Sequence, residues 1–539
     1  MSSAPEASRT LFDEADDLAI QVPTSCRRSG RCHECVVEIL EGAKHLGPRT
    51  PAERFLAEPY RLACQAVVTG SPAPVRFSVL RRRLRILVPG PEERARSLDP
   101  VVNVVDGVVH YGDVPLEPLR GGVYGIALDL GTTTIVLELV DLTDGRIVEV
   151  VAIENPQRFG GSDVMSRISY DTGPGHGELR QAVRRAVNRE LREAYARHGV
   201  DRREVYELVV VGNSTMRDLF FGLDVASIGQ MPYKSLTELD LLAGRRTTTA
   251  LTARPFEVGV HMNPRGRVFG GPLIASHVGA DVAADLVALG IENGSDEVVM
   301  LVDVGTNTEV VVRAGARVVA ASCPAGPAFE GGLVTYGMQA SDGAIESFTI
   351  REDGTFAYET IGGTPPVGIC GSGLIDLLAE LRRAGRMSPR GPFSDRSYEL
   401  TVVPEAGITF SRADASALAQ AKAANTVGQW ALLRSLGIAP GDVDRLYLAG
   451  GFASYVDVRN AIEIGFLAPV RPERIVTAGN AALKGARELL LSRSARERLE
   501  SFVRRIEHVE LEQVPDFFEL FVEGCQLIPI PPDLGKEAA

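Results

Sequence analysis

The sequence predicts a multidomain chain of α+β and α/β class: a small N-terminal domain, a short connector, and a large C-terminal α/β domain that is internally duplicated. Three observations predict it. Four cysteines, Cys26, Cys32, Cys35 and Cys64, gather near the N-terminus. A turn of the form Asp-x-Gly-Thr-x-Thr, set between two apolar runs, occurs twice, at Asp129 and at Asp303. A third apolar run ends in the paired glycines Gly450 and Gly451. With 539 residues, 45% of them hydrophobic, the chain has room for three or more domains with cores of their own.

The cysteines come first in the chain. Their spacing is C-x5-C-x2-C within CRRSGRCHEC, followed by a distant Cys64 in RLACQ. Three thiolates on one tight loop and a fourth from afar is how ferredoxin folds hold a [2Fe–2S] cluster; the plant-type pattern has one residue fewer in the first gap. Four thiolates also suit zinc, though structural zinc sites usually pair two short knuckles and here one side is a lone cysteine. A Rieske centre would need two histidines in place of two cysteines, so His33 reads as a solvent-facing loop residue. Disulfides are disfavoured because nothing in the sequence suggests secretion.

Composition narrows the class. The net charge of −13 leaves no excess of phosphate-neutralising groups, so nucleic acid is not expected as a partner. The basic run LRRRLRI at 80–86 reads as a solvated face of the connector. No apolar run reaches the length of a membrane span. The acidic N-terminus lacks the apolar core of a signal peptide. A reducing cytoplasm is the expected location, with Cys323, Cys370 and Cys525 as small buried residues.

Residues 1–78 read as the cluster domain, with a helix in LFDEADDLAIQV and strands in VVEIL and QAVV. Residues 79–120 read as a connector, with a hairpin turning at Asp106-Gly107 between Val-rich runs. From 121 to 539 the pattern is α/β, with lobes of about 121–295 and 296–539 around the two Asp-x-Gly-Thr-x-Thr turns. Glycine there lets the backbone approach a ligand, and threonine hydroxyls and backbone N–H groups can donate to phosphate oxygens. An aspartate at the end of the first strand can hold hydrated Mg²⁺. The strand ending in Gly450-Gly451 can lie flat against a nucleobase or ribose. TAGN at 477–480 is a further glycine turn before a helix, and no Walker A sequence is present.

These three elements resemble the actin, sugar kinase and Hsp70 ATPase superfamily (ASKHA), whose domain is a duplicated RNase H-like fold. The resemblance assigns Asp129, Gly131, Thr132, Thr133 and Thr134 to a first phosphate loop, Asp303, Gly305, Thr306, Asn307 and Thr308 to a second, and Gly450, Gly451 and Phe452 to the adenosine motif. Asp129 and Asp303 would organise Mg²⁺ with ATP. A β-grasp [2Fe–2S] ferredoxin domain followed by an ASKHA domain resembles the reductive activators of corrinoid proteins. Further stretches fit that group: NPQRFGGSDVMSRI, VVGNSTM, GADVAAD, GPAFEGG and GICGSGLID. About 25 residues precede Cys26, too few for the hairpin and helix with which such ferredoxin domains normally start, so a shortened cluster domain is expected.

The resemblance implies ATP-dependent transfer of one electron from the cluster to the Co(II) corrinoid of a methyltransferase-system protein, restoring Co(I). It implies a corrinoid protein and an upstream low-potential electron donor as partners, no membrane, and a homodimer through the ASKHA domain. Glu309 and Glu330 are candidates for orienting water. The alternative is an ATP-gated iron–sulfur electron-transfer or redox-sensing protein without a corrinoid target. A sugar-type kinase leaves the iron–sulfur domain without a purpose. An activator of 2-hydroxyacyl-CoA dehydratases would carry its cluster cysteines inside the ASKHA domain.

Overall fold

The computed structural model describes residues 9–69, 75–81, 98–173, 175–275, 277–451 and 453–531. The chain divides into two compact units. The first takes in the chain up to Thr247 together with Leu251–Gly270; the second takes in Thr248–Ala250 and the chain from Gly271.

The first unit begins with helix α1 (Leu11–Asp17), capped by Thr10 and Asp13, which bury Leu11, Phe12 and Ala15 on one face. A three-stranded antiparallel sheet follows, with β1 (Val36–Glu41) between β2 (Tyr60–Leu62) and β3 (Arg76–Val79). QAVV, expected as a strand, makes only isolated bridges: Val67 to Thr10 and Val68 to Leu46. In the connector, β4 (Val102–Val105), β5 (Val108–Tyr111) and β6 (Val114–Pro118) form a small antiparallel sheet. Asp106 and Gly107 both take positive φ (50° and 73°) and join Val105 to Val108, the two-residue turn whose twist suits a hairpin. Tyr111 fastens this sheet to the next by donating to Glu207 at 3.0 Å.

The larger sheet of the first unit contains β7 (Tyr124–Leu130), β8 (Thr134–Asp141), β9 (Ile147–Glu154), β10 (Val205–Val211), β11 (Leu251–Ala253) and β12 (Arg267–Gly270), in the order β11-β12-β10-β7-β8-β9. β7, β8 and β9 form an antiparallel meander, and β10 and β12 add in parallel. Helices α2 (Val164–Asp171), α3 (Glu178–His198) and α4 (Ser214–Phe221) belong to this unit.

The second unit repeats this plan. β13 (Val299–Val304), β14 (Thr308–Ala314) and β15 (Arg317–Cys323) form the meander, and Arg445–Ala449 and Ile475–Gly479 add in parallel beside β13. The registers of the two copies agree: Asp129 pairs with Val211, and Asp303 with Ala449. Both units are thus RNase H-like, and the duplicated ASKHA fold expected from the two turns is present. The helix Ala280–Leu289 packs on Ala481–Leu491 and belongs to the second unit. The compact units divide near Gly270, so this helix, which follows that point in the chain, buries its apolar face within the second unit. No helix among the described residues is long and apolar enough to cross a membrane.

Candidate functional sites

The cluster loop runs from Thr24 to Cys35 and reverses direction repeatedly, with Arg27, Arg28 and His33 in left-handed backbone conformations (φ 54°, 63° and 52°). Cys35 directly precedes β1 and Cys64 follows β2. Because Val36 faces Leu62 across these strands, the two thiols meet, with sulfurs 3.4 Å apart. Cys35 and Cys64 thus form a contact pair, while Cys26 and Cys32 stand on the loop that ends in Cys35. A two-iron cluster needs two thiolates on each iron, and one such pair is in contact here.

The backbone is turned toward the sulfurs. Ser25 N–H donates to Cys32 Sγ at 3.5 Å, and Gln65 Nε2 donates to Cys64 Sγ at 3.4 Å. Burial pushes the Cys26 thiol up, but hydrogen bonds from Ser29, Cys32 and Arg31 outweigh it and hold it at about 6. The Cys35 contact holds Cys64 at about 6, while the same contact and burial push Cys35 up. The lowered Cys26 and Cys64 are prepared to act as thiolates, whereas Cys35 holds its proton until a cation displaces it. Cys26 is the half-exposed member; the other three are buried.

Glu53 secures the strand that carries Cys64. It is fully buried and accepts from Arg61 Nε (2.7 Å) and from the backbone N–H groups of Leu62 (3.0 Å) and Thr50 (2.9 Å). His33 is not a solvent-facing loop residue, as the sequence suggested. Its ring stacks on Phe55 (centroids 4.2 Å apart) and its Nδ1 lies 2.9 Å from Glu178 of α3. Arg81, read as part of a solvated basic face, pairs with Glu190 (3.1 Å) and Glu193 (2.8 Å) of α3. The rest of that run, from residue 82, lies outside the described residues.

The first candidate phosphate loop is the β7–β8 turn. Asp129 stands half-buried near the end of β7, followed by Gly131, Thr132 and Thr133, and Thr134 opens β8. Two asparagines brace this turn. Asn155 donates through Nδ2 to Gly131 O (2.8 Å) and through its backbone N–H to Thr133 O (2.7 Å). Asn213 donates to the Thr132 hydroxyl (2.9 Å) and caps α4 by accepting from Met216 N–H.

The second candidate loop is the β13–β14 turn, with Asp303, Gly305, Thr306, Asn307 and Thr308 in corresponding places. Here carboxyl groups crowd together. Enclosure pushes Asp303 up to about 6, against a hydrogen bond shared with Asp285. Burial, with Asp281 and Asp303 nearby, pushes Glu309 well above the usual carboxylate range. Ser322 donates to Glu309 at 2.9 Å, and the Thr306 hydroxyl donates to Glu330 at 2.5 Å.

Each strand parallel to these loops ends in a glycine that only glycine can fill. Gly450 has φ 110°, and a Cβ there would lie 2.1 Å from Val304 O; Gly212 has φ 154°, and a Cβ would lie 2.6 Å from Leu130 O. Gly451 follows on the exposed side, and Phe452 lies outside the described residues. TAGN, expected as a turn, is instead the end of the strand Ile475–Gly479 followed by Asn480, which caps Ala481–Leu491 by accepting from Leu483 N–H at 2.8 Å.

The fold therefore brings Cys35 and Cys64 together, places Cys26 and Cys32 on the adjoining loop, sets Asp129 beside Gly131–Thr134, and sets Asp303 with Gly305–Thr308 and Gly450. Reading residue types alone passed over Asn155, Gly212, Asn213, Asp281 and Asp285. Their signals lay in the quoted stretches NPQRFGG, VVGNSTM and GADVAAD, where the i, i+4 spacing of the two aspartates sets them on one helix face.

Three family profiles match. A 2Fe-2S iron-sulfur cluster binding domain covers residues 2–69, the RACo middle region 124–294, and the C-terminal ASKHA domain of RACo 297–533. The corrinoid activation enzyme RamQ of Eubacterium limosum is 31% identical over 436 residues, 76% of this chain and 71% of the relative. The [Co(II) methylated amine-specific corrinoid protein] reductase of Methanosarcina barkeri is 25% identical over 442 residues, 75% of this chain and 76% of the relative. The solved structure of a reductive activator for corrinoid,iron-sulfur protein is 29% identical with a TM-score of 0.72, covering 99% of this chain and 98% of that one. An iron–sulfur domain joined to a duplicated ASKHA fold, with this similarity across nearly the whole length, makes the chain a member of the RACo-type corrinoid activation enzymes.

Proposed function

We propose that the chain is an ATP-dependent reductive activator: it passes one electron from a [2Fe–2S] cluster to the Co(II) corrinoid of a methyltransferase-system protein and so restores Co(I). The observation that carries this reading is the presence, in one chain, of four cysteines in ferredoxin spacing, with Cys35 and Cys64 in contact, and two phosphate-type loops in matching register. Cys26, Cys32, Cys35 and Cys64 would hold the cluster, which when bound supplies one-electron chemistry. The half-exposed Cys26 marks the side of the loop open to a redox partner.

Backbone N–H groups and hydroxyls of Gly131–Thr134 and Gly305–Thr308 would receive the phosphates of ATP, and Asp129 and Asp303 the Mg²⁺. Gly450 and Gly451 would lie against the nucleoside. Asn155 and Asn213 hold the first loop in shape before any ligand arrives, which lowers the ordering cost of binding. The nucleotide can drive reduction only by binding two conformations of the protein unequally, and a tenfold bias needs about 1.4 kcal/mol. A low-potential electron donor upstream, a cytoplasmic location and a homodimer through the ASKHA domain belong to the same reading.

Replacing Asp303 by Ala tests whether the two sites are separate. ATPase activity of the cluster-loaded variant is expected to fall about 100-fold or more, as for loss of a group that stabilises transferring phosphate. The visible spectrum of the cluster stays unchanged. Loss of both properties, or of neither, contradicts the reading.

A further inference from the structure

The stretch NPQRFGG, beyond the bracing by Asn155, has no task in the chemistry above, yet it touches both the phosphate loop and the cluster domain of the first unit. It leaves β9 at Glu154 and forms a short 3₁₀ turn at Pro156–Gly160. Its first residue, Asn155, is buried and holds the first phosphate loop at both sides of the turn, through Gly131 O and Thr133 O. Three residues on, Arg158 donates to Glu154 (2.5 Å) and reaches across to Glu38 (2.6 Å). Glu38 lies on β1, the central strand of the cluster domain, three residues after the ligand Cys35.

A second, apolar arm runs beside the first. Phe159 meets Phe55 edge-on (6.0 Å, 83°), and Phe55 stacks on His33, which stands between Cys32 and Cys35. Tyr170 of α2 packs on Phe159 (5.7 Å) and donates to Phe55 O at 2.5 Å. The turn is stiff: Gln157 donates to Leu179 O at 3.2 Å and accepts from Arg167 at 3.1 Å, and Arg167 is itself buried. A short braced segment that grips a phosphate loop at one end and the cluster domain at the other cannot leave one contact unaffected when the other shifts.

We propose that Asn155–Phe159 couples nucleotide at the first phosphate loop to the seating of the cluster domain, with Arg158 and its partner Glu38 as the positioning pair. The proposal rests on the reading of Gly131–Thr134 as a nucleotide loop and adds the route by which its occupancy is felt at the cluster. A phosphate drawn into the turn pulls on Gly131 and Thr133, and Asn155 follows because it is bonded to both. Arg158 and Phe159 then transmit the displacement to β1 and to the Phe55–His33 stack. The energy available is the difference in nucleotide affinity between the two seatings, and coupling of this kind commonly amounts to about a fivefold effect or more.

The test is amide hydrogen exchange of the full-length, cluster-loaded protein with and without a non-hydrolysable ATP analogue, with analogue affinity measured separately by calorimetry. In the wild type, the analogue is expected to change exchange in Val36–Glu41 and around Phe55 by about fivefold or more. Arg158→Ala should abolish that change while still binding the analogue, Arg158→Lys should restore part of it, and the exchanged pair Arg158→Glu with Glu38→Arg should restore more than either single change. If Arg158→Ala loads no cluster, the milder Glu38→Gln replaces it, with the same loss expected. Analogue binding without altered exchange in the wild type, or an undiminished response in the variants, overturns the coupling and leaves the ATP reading standing. Failure of the wild type to bind the analogue overturns both.

Discussion

At the scale of single residues, the cluster site depends on a buried charge that touches no sulfur. Glu53 is enclosed with Arg61 and receives two backbone N–H groups, one of them at the strand leading to Cys64. Burial acts to raise its pKa, but the Arg61 hydrogen bond and the two backbone donors outweigh it and hold the carboxyl below its ordinary 4.5. A carboxyl lowered by folding contributes stability that is present above its unfolded value and is lost as pH falls through its folded value. Wild-type stability should therefore drop on acidification below about pH 4.5. Glu53→Ala should lose about 3 kcal/mol at neutral pH, because Arg61 is left buried without its partner. Thermal melts of the two proteins from pH 7 to pH 3, followed by the visible absorbance of the cluster, check this. A variant as stable as the wild type at pH 7 would show that Glu53 does not secure the site.

At the scale of elements, the two lobes use one device twice. A strand carries an aspartate near its end, a Gly-Thr turn follows, and a parallel neighbour ends one residue later in a glycine pressed on the first strand's carbonyl. The first half of this device was legible in the sequence because Asp-x-Gly-Thr-x-Thr is local and repeated. Gly450 stood out in a Gly-Gly pair, whereas Gly212 lacked such a mark, and its role follows only from the pairing of β10 with β7. The same limit explains Asn155, whose partners lie in a preceding turn, and Asp281 and Asp285, which a separate helix brings to Asp303. His33 was misread because its partners, Phe55 and Glu178, are set by the docking of the cluster domain on α3. Adding a methyl group at Gly450 or Gly212 must push strand and loop apart, at a cost of about 1–3 kcal/mol for the displaced backbone. Gly450→Ala and Gly212→Ala are each expected to weaken binding of an ATP analogue about tenfold, as calorimetry would register. An unchanged affinity in both would remove these glycines from the nucleotide site.

At the scale of the whole molecule, the order of an iron–sulfur domain before a duplicated ASKHA domain was legible from motif spacing and the family resemblance it carries. The contacts between parts were not. The connector sheet is tied down through Tyr111 and Glu207, and Arg81, expected on a solvated basic face, is anchored on α3. The first unit thus joins the iron–sulfur domain to a nucleotide-type lobe through ion pairs, aromatic contacts and the NPQRFGG turn. That construction suits a protein whose electron transfer answers to ATP. The central claim is tested most directly by mixing the cluster-loaded protein, anaerobically and pre-reduced, with a Co(II) corrinoid protein from the same genome and following cobalt by absorbance with and without Mg-ATP. The account predicts Co(I) only when ATP is present, and none with Asp303→Ala. Reduction that proceeds equally without ATP, or no Co(I) with any encoded corrinoid protein although the cluster is intact and ATP is bound, would contradict it.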